Sequence, residues 1–535
     1  MRNAGIGAWP ARRARMTPDR TAFVFGDHSL TYAEVHERVT RLADRLRGSG
    51  VRAGDRVAYL GPNHPAFAET MFATHVLGAI FVPLNFRLAP PEIDYMLGHC
   101  GAKTLLYAPQ CAGAVRALRP TAALDEIVAL DGAAPGERDY ESWLAQGDPT
   151  PIDLPVDLAD IALILYTSGT TGRPKGAMLS HANLVWNTFN MIIGVDVAAD
   201  ETTLISAPLF HVAALNQTLL PTFAKGGRSV IMPSWDVDGC YDLIEKHGVT
   251  WMFGVTTMFA ALARSPRWSA ADLFSVRTLM AGGAAVPPAL IRAYQERGLV
   301  FCQGYGLTET SPGATFLEAG QSARRAGSAG VPVLFADVRV VRPDLTDTLP
   351  GEPGEVLIQG PNVTPGYWDD PAATAAAFAK GGWFRSGDLA IRDEDGHLYI
   401  VDRVKDMYIS GGENVYPAEV EAALFEHPAV AEAAVIGVPD ATWGESGHAF
   451  VVARPGQAVT GEDLRRFLRS RLAKYKIPGQ VTLVDDLPKT GSGKIQKPRL
   501  RERVSAVQAG PCRPAAVDQE HCGAARERTG KASGL

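Results

Sequence analysis

The sequence has few cysteines, no excess of positive charge and no long apolar run. Six cysteines in 535 residues, with no CxxC pair among them, cannot form a disulfide framework and indicate reduced thiols in a cytoplasmic protein. A net charge of −6 makes a nucleic-acid partner unexpected. The most apolar stretch, residues 71–86, contains His75, Pro83 and Asn85 and is shorter than the roughly 20 apolar residues of a membrane span. It predicts a buried helix followed by a strand, in a chain with no membrane span.

The rest of the composition is that of a globular protein too long for a single core, with 46% hydrophobic and 21% charged residues. From residue 20 to about residue 400, short apolar runs alternate with amphipathic helical stretches. This alternation predicts α/β lobes with largely parallel sheets. The predicted elements include a helix at 66–77 and strands at 56–60, 79–84, 162–166, 229–232 and 251–255.

The pattern changes twice further along the chain. Near residue 330, short strands separated by Gly, Pro and Asp turns predict a smaller β-rich lobe, with strands at 338–341, 354–359 and 397–401. After Asp402, a compact α+β unit is predicted from a helix at 417–426, strands at 432–438 and 448–453, a helix at 461–473 and a strand at 480–484. We therefore expect an N-terminal domain over 1–402, a C-terminal domain over 403–505 and a disordered tail over 506–535.

The strongest motif is the segment YTSGTTGRPKG at residues 166–176, directly after the apolar strand predicted at 162–166. Glycines let the backbone approach an anion, hydroxyl and N–H groups donate to phosphate oxygens, and a lysine neutralises charge. The spacing is not that of a Walker loop, and the alternative is a flexible polar loop. The candidate phosphate-binding residues are Thr167, Ser168, Gly169, Thr170, Thr171 and Lys175.

This segment resembles the phosphate loop of the acyl-adenylate-forming superfamily, which includes acyl-CoA synthetases, peptide-synthetase adenylation domains and firefly luciferase. Four further segments resemble motifs of that family and occur in its order: GYGLTET at 304–310, WFRSGDL at 383–389, DRVKDMYISGGEN at 402–414 and PKTGSGKI at 488–495. The resemblance covers about residues 15 to 505. It implies ATP and Mg²⁺ as cofactors, CoA as co-substrate and a mobile small domain.

The resemblance implies roles for residues around the nucleotide. Glu309 is the implied Mg²⁺ ligand, since a hard cation between phosphates needs carboxylate oxygen, and Thr308 offers a hydroxyl to phosphate. Asp388 and Arg403 are implied to hold the ribose; an ordinary turn aspartate is the alternative for Asp388. Tyr305 could stack on adenine. Small residues that leave room for the nucleotide are Gly283, Ala284, Gly304 and Gly306.

Two residues are candidates for the chemistry at the acid. Lys494 is implied to hold both the carboxylate and the α-phosphate, because the attack of one anion on another needs a cation between them. His211, in the segment PLFHVA, resembles the residue that gates the acyl site; a structural histidine is the alternative.

The two half-reactions need different groups in one site. The resemblance implies that the small domain turns about Lys405 as its hinge. In one orientation Lys494 faces the site. In the other orientation Ser410, Gly411 and Gly412 line the tunnel for the thiol, and Trp443 lies near the CoA channel.

These residues predict an enzyme that converts a fatty or aryl acid to acyl-AMP and then to an acyl-CoA thioester. One alternative is an acceptor other than CoA, such as a carrier-protein thiol or an amine, with an unusual acid such as nitrous acid as substrate. A nucleotide-binding protein without turnover is a third hypothesis. The acid itself cannot be read from the sequence, and a homodimer is left open.

Overall fold

A computed structural model describes residues 2–118, 124–167, 174–283, 286–403, 406–410, 413–440, 443–490 and 494–508. Within these residues the chain forms four sheets, two in α/β lobes, one in a β-rich lobe and one in a small C-terminal unit. The predicted fold class is confirmed. No helix in the described part of the chain is long and apolar enough to cross a membrane.

The first sheet has eight strands. In spatial order they are Gly366–Tyr367, Lys175–Ser180, Ile161–Thr167, Ile80–Leu84, Arg56–Leu60, Ala102–Tyr107, Glu126–Ala129 and Arg138–Asp139. The strands from Ile161–Thr167 onwards are parallel, whereas Ile161–Thr167 and Lys175–Ser180 are antiparallel neighbours. The predicted phosphate loop therefore joins two adjacent strands of this sheet.

The second sheet has nine strands. In spatial order they are Val331–Pro332, Thr315–Phe316, Phe301–Tyr305, Thr278–Gly282, Trp251–Val255, Thr202–Ile205, Arg228–Ile231, Thr21–Phe25 and His28–Thr31. The six strands from Phe301–Tyr305 to Thr21–Phe25 are parallel. Their carboxyl ends share one edge of the sheet, where ligands of open α/β sheets bind. The candidate residues Gly283 and Tyr305 lie at this edge.

Helices cover both sheets, and one apolar core extends through them. Residues 65–75, at the centre of this core, are all buried. Helix starts follow local rules, as where Thr31 and Glu34 form a capping box. The helices are Trp9–Met16, Tyr32–Gly48, Pro65–Val76, Pro90–Cys100, Ala112–Leu118, Tyr140–Ala145, His181–Val195, Val212–Ala214, Leu220–Lys225, Val237–His247, Thr256–Arg264 and Pro288–Gln295.

The β-rich lobe is an antiparallel sheet with its own small core, which includes Val340, Val356 and Leu398. Its strands are Asp337–Val341, Gly354–Gln359, Phe378–Ala379, Trp383–Arg392 and Leu398–Arg403, with helix Pro371–Ala377 between the second and third.

The small unit has a separate core around Tyr408, Leu424 and Leu464. Its strands are Tyr408–Ser410, Glu413–Val415, Val430–Asp440, Gly444–Ala453 and Gln480–Leu483, and its helices are Pro417–Phe425, Gly461–Arg469 and Lys497–Gln508.

Several predicted boundaries differ from the structure of the small unit, and its two strands predicted at 432–438 and 448–453 are longer, at Val430–Asp440 and Gly444–Ala453. The helix expected at 461–473 ends at Arg469, because the Ser470 hydroxyl donates to the carbonyl of Phe467 and competes with the next helical turn. The last helix reaches Gln508, three residues into the segment predicted as tail. Residues 509–535 lie outside the described residues.

A buried carboxylate joins three helices of the N-terminal lobe. Glu69 is fully buried, and its Oε1 lies 2.7 Å from Arg38 Nε. The hydroxyl of Tyr140 donates to Glu69 Oε2 at 2.5 Å. Because an ionised carboxylate in a core must be paired, this network fixes how the helices pack.

Arg38→Met should lower the free energy of unfolding by about 3 kcal/mol, because it leaves a buried charge without its cation. Urea unfolding measures the change. Arg47→Met is the control, since Arg47 pairs with Asp44 at a half-exposed position and should cost less than about 1 kcal/mol. Equal small effects would show that Glu69 does not need Arg38.

Candidate active site

The cationic end of the site is built from two strands that are distant in sequence. Lys175 begins strand Lys175–Ser180, and Tyr367 on the neighbouring strand pairs with Ala177. Lys175 Nζ lies 5.2 Å from the centroid of the Tyr367 ring. The hydroxyl of Tyr367 donates to Glu309 Oε1 at 2.9 Å. Lysine, tyrosine and carboxylate thus lie side by side where the phosphate loop leaves the sheet.

Tyr367 holds the carboxylate as a neutral donor. Burial, together with the negative charge of Glu309, raises the pKa of Tyr367 well above its usual value, so the hydroxyl keeps its proton. Glu309 is itself only 8% exposed, and its backbone carbonyl accepts from the N–H of Thr364. Thr308 lies in the same single turn, Thr308–Thr310.

Sequence reasoning missed Tyr367. The segment GYWDDP at 366–371 carries a glycine and an aromatic residue before a helix start, which was the available signal. Its meaning depends on pairing with a strand almost two hundred residues earlier in the chain, which no local pattern reveals.

Glu309 is the candidate metal ligand of this site. No group of three or more His, Cys, Asp or Glu side chains that could hold an ion occurs among the described residues. Mg²⁺ commonly binds through one or two carboxylates together with substrate phosphates and water. Glu309, oriented by Tyr367 and close to Lys175, fits that requirement when a phosphate ligand supplies the remaining oxygens.

The nucleoside end of the site brings together Tyr305 and Asp388. The Tyr305 hydroxyl donates to Asp388 Oδ2 at 2.7 Å, and Asp388 is 6% exposed. Arg403 lies opposite Asp388 in the register of two antiparallel strands of the β-rich lobe. The second sheet and the β-rich lobe thus meet at this pair.

Close backbone packing requires glycine at this end of the site. A β-carbon on Gly306 would overlap the carbonyl oxygen of Pro312, so no other residue fits there without displacing the chain. Gly304 similarly leaves room for the side chain of Met280.

Lys494 reaches the large domain from the small one. A β-carbon built on Gly283 would lie only 3.5 Å from Lys494 Cε. Two hydrogen bonds join Thr490 and Lys494: the N–H of Thr490 donates to the Lys494 carbonyl at 2.7 Å, and the N–H of Lys494 donates to Thr490 Oγ1 at 3.1 Å. The cation therefore lies over the carboxyl edge of the second sheet.

His211 lies within electrostatic range of this cation. Burial, reinforced by the positive charges of Lys494 and Arg87, lowers the pKa of His211 to about 3. The imidazole is therefore neutral at physiological pH. Its Nε2 is buried and, within the described residues, makes no hydrogen bond, so it can still pair with a bound ligand.

The CoA candidates that the structure describes are neighbours in the small domain. Ser410 is buried and pairs across the sheet with Gly444, the residue after Trp443. Trp443 is 38% exposed. The other predicted positions Ser168, Gly169, Thr170, Thr171, Ala284, Lys405, Gly411 and Gly412 lie outside the described residues, as does the side chain of Arg403.

Comparison with known proteins identifies the family of this chain. Residues 10–368 match the model of the AMP-binding enzyme family, and residues 419–494 match the AMP-binding enzyme C-terminal domain. Feruloyl-CoA synthases from Amycolatopsis and Streptomyces species are 52% identical to this chain over 503 residues, which cover 94% of the chain and all of each relative.

Two further relatives differ in their acids. Indoleacetate–CoA ligase of Aromatoleum aromaticum is 41% identical, over 94% of this chain and 98% of its own length. The structure of o-succinylbenzoate coenzyme A synthetase from Bacillus subtilis, in complex with ATP and magnesium ion, is 32% identical with a TM-score of 0.83, over 92% and 99% of the two chains. The chain belongs to the AMP-binding enzyme family.

Proposed function

We propose that this protein is an aryl-acid–CoA ligase. It activates a carboxylic acid with ATP and transfers the activated acyl group to the thiol of CoA, with Mg²⁺ as cofactor. The position of Lys494 at Gly283, in electrostatic range of neutral His211, is the observation that supports this proposal. It favours a cation at the point where a carboxylate would meet a nucleotide bound at Tyr305 and Asp388.

Catalysis of the first half-reaction is electrostatic. A carboxylate oxygen of the acid bonds to the α-phosphorus of ATP, and the bond from that phosphorus to pyrophosphate breaks. Because two anions react, the barrier falls where fixed cations face both. Lys494 supplies one of them and Lys175 another, while Glu309 is the residue that would hold Mg²⁺, which neutralises phosphate charge when bound.

Neutral His211 has a different role in this step from that of the lysines. With a pKa of about 3 it does not add a third positive charge, and its free Nε2 can hydrogen-bond the acid. We assign it to orientation of the carboxylate at the mouth of the acyl pocket.

The second half-reaction passes the acyl group to sulfur. The CoA thiol attacks the carbonyl carbon of the mixed anhydride, the carbon–oxygen bond to AMP breaks, and AMP leaves. We assign Ser410 and Trp443 to the path of the thiol, and Lys405 to the hinge about which the small domain turns between the two steps.

The substrate that we propose is an aryl acid rather than a long alkyl chain. The feruloyl and indoleacetate specificities in the names of the relatives support the same class.

The cysteines support a reducing, cytoplasmic environment. The four cysteines in the described residues, Cys100, Cys111, Cys240 and Cys302, are all free and buried. Burial raises the pKa of each thiol, which disfavours oxidation.

Pyrophosphate release should depend on the acid and be strongest with hydroxycinnamates and arylacetates. A screen with ferulate, indoleacetate and palmitate, with and without CoA, measures it. Preference for palmitate would overturn the aryl class. Release without any CoA thioester product would instead favour a carrier-protein thiol or an amine as acceptor, and no release with any acid would refute acid activation.

Lys494→Ala should reduce adenylation by several orders of magnitude, because the cation between two anions is lost. Thioester formation from supplied acyl-adenylate should survive, since that step has no second anion to neutralise. Lys489→Ala, which removes a lysine of the same loop paired with Glu432, is the control. Equal loss in both half-reactions of Lys494→Ala would show that Lys494 is structural.

Tyr367→Phe should weaken the binding of Mg²⁺ at Glu309, because the carboxylate loses the donor that orients it. We expect the Mg²⁺ concentration for half-maximal pyrophosphate release to rise about tenfold, the factor for one hydrogen bond to a charged group. Tyr475→Phe in the small domain is the control. An unchanged Mg²⁺ requirement would remove Tyr367 from the site.

A further inference from the structure

A hydrogen bond joins the β-rich lobe to the small domain. Asp402 lies on strand Leu398–Arg403, and its Oδ2 accepts from the backbone N–H of Ala418 at 2.8 Å. Ala418 is in the first turn of helix Pro417–Phe425, whose preceding residue, Tyr416, makes no side-chain cap. Among the described residues, Asp402 thus caps this helix from the neighbouring lobe.

The charge of Asp402 also attracts a lysine of the small domain. Lys497 Nζ lies 2.9 Å from Glu421 Oε1. Burial lowers the pKa of Lys497, but the charges of Glu421 and Asp402 outweigh this effect and raise it. Asp402 is only 8% exposed, so these attractions are little screened by solvent. A carboxylate at a helix N-terminus is favourable in addition.

This contact lies close to the loop of Lys494. Lys497 begins the last helix, Lys497–Gln508, three residues after Lys494. The position of Lys497 therefore determines where the loop that carries Lys494 extends from the small domain. The hydrogen bond of Asp402 with Ala418 and its charge interaction with Lys497 occur in the same arrangement of the domains in which Lys494 reaches Gly283.

We infer that Asp402 is a positioning residue for adenylation. It caps helix Pro417–Phe425 and attracts Lys497, and it thereby holds the small domain where Lys494 faces the acid and the α-phosphate. The inference rests on the proposed role of Lys494 and confines Asp402 to the first half-reaction.

Two substitutions separate its contacts. Asp402→Ala removes the cap and the charge, and pyrophosphate release should fall about fivefold or more, the factor for losing a helix cap. Asp402→Asn keeps an acceptor for the N–H of Ala418 but loses the attraction to Lys497, so its loss should be smaller. Thioester formation from supplied acyl-adenylate should be unchanged in both.

Glu462→Gln is the matched control. Glu462 pairs with Arg469 at 2.8 Å, inside the small domain. This variant tests a lost ion pair without a lost contact between domains. The ratio of the two half-reaction rates should remain that of the parent enzyme.

Hydrogen exchange gives a readout that does not depend on turnover. Amides of residues 417–425 should exchange faster in Asp402→Ala than in the parent. Unchanged exchange, equal loss of both half-reactions or loss of neither would overturn the role of Asp402. A parent enzyme that releases no pyrophosphate with any acid would overturn the proposed function, and this role with it, whereas a normal parent confines the failure to Asp402.

Discussion

The approach of Lys494 to Gly283 is the contact on which the site depends. The nucleotide residues belong to the large domain, whereas the lysine comes from a domain with a separate core. Gly283 has a φ of +83°, a backbone conformation in which any other residue would be strained. A cation needed for one step is thus supplied by a part of the chain that is not packed into the core of the site.

The electrostatics of the site follow from that arrangement. Positive charge comes from Lys175 and Lys494, which we propose face the reacting anions from different elements. His211, buried beside Lys494, is kept neutral by burial and by the lysine itself. Tyr367 keeps its proton and orients Glu309 without adding charge. In the proposed reaction, the lysines therefore face the acid and phosphates without a third cation at His211, and donors of fixed geometry do not have to reorganise.

The sequence predicted elements whose cause is local. The strands expected at 56–60, 251–255 and 354–359 have the bounds of the structure, because each is an apolar run closed by turn residues. The pairing of Tyr305 with Asp388 agrees with motifs that are each readable locally. The contact of Tyr367 with Glu309 was not predicted, because it requires a strand pairing between distant segments. The acid pocket was unreadable for the same reason.

Strand Leu398–Arg403 shows why contacts between domains are the hardest to predict. Its residues were read for the nucleotide, and Arg403 does lie opposite Asp388. The preceding residue, Asp402, caps a helix of the small domain. Successive side chains of a strand point to opposite faces, so neighbouring positions can serve different partners. A motif that matches one function can therefore contain a residue that acts in another, and only the placement of the helix reveals it.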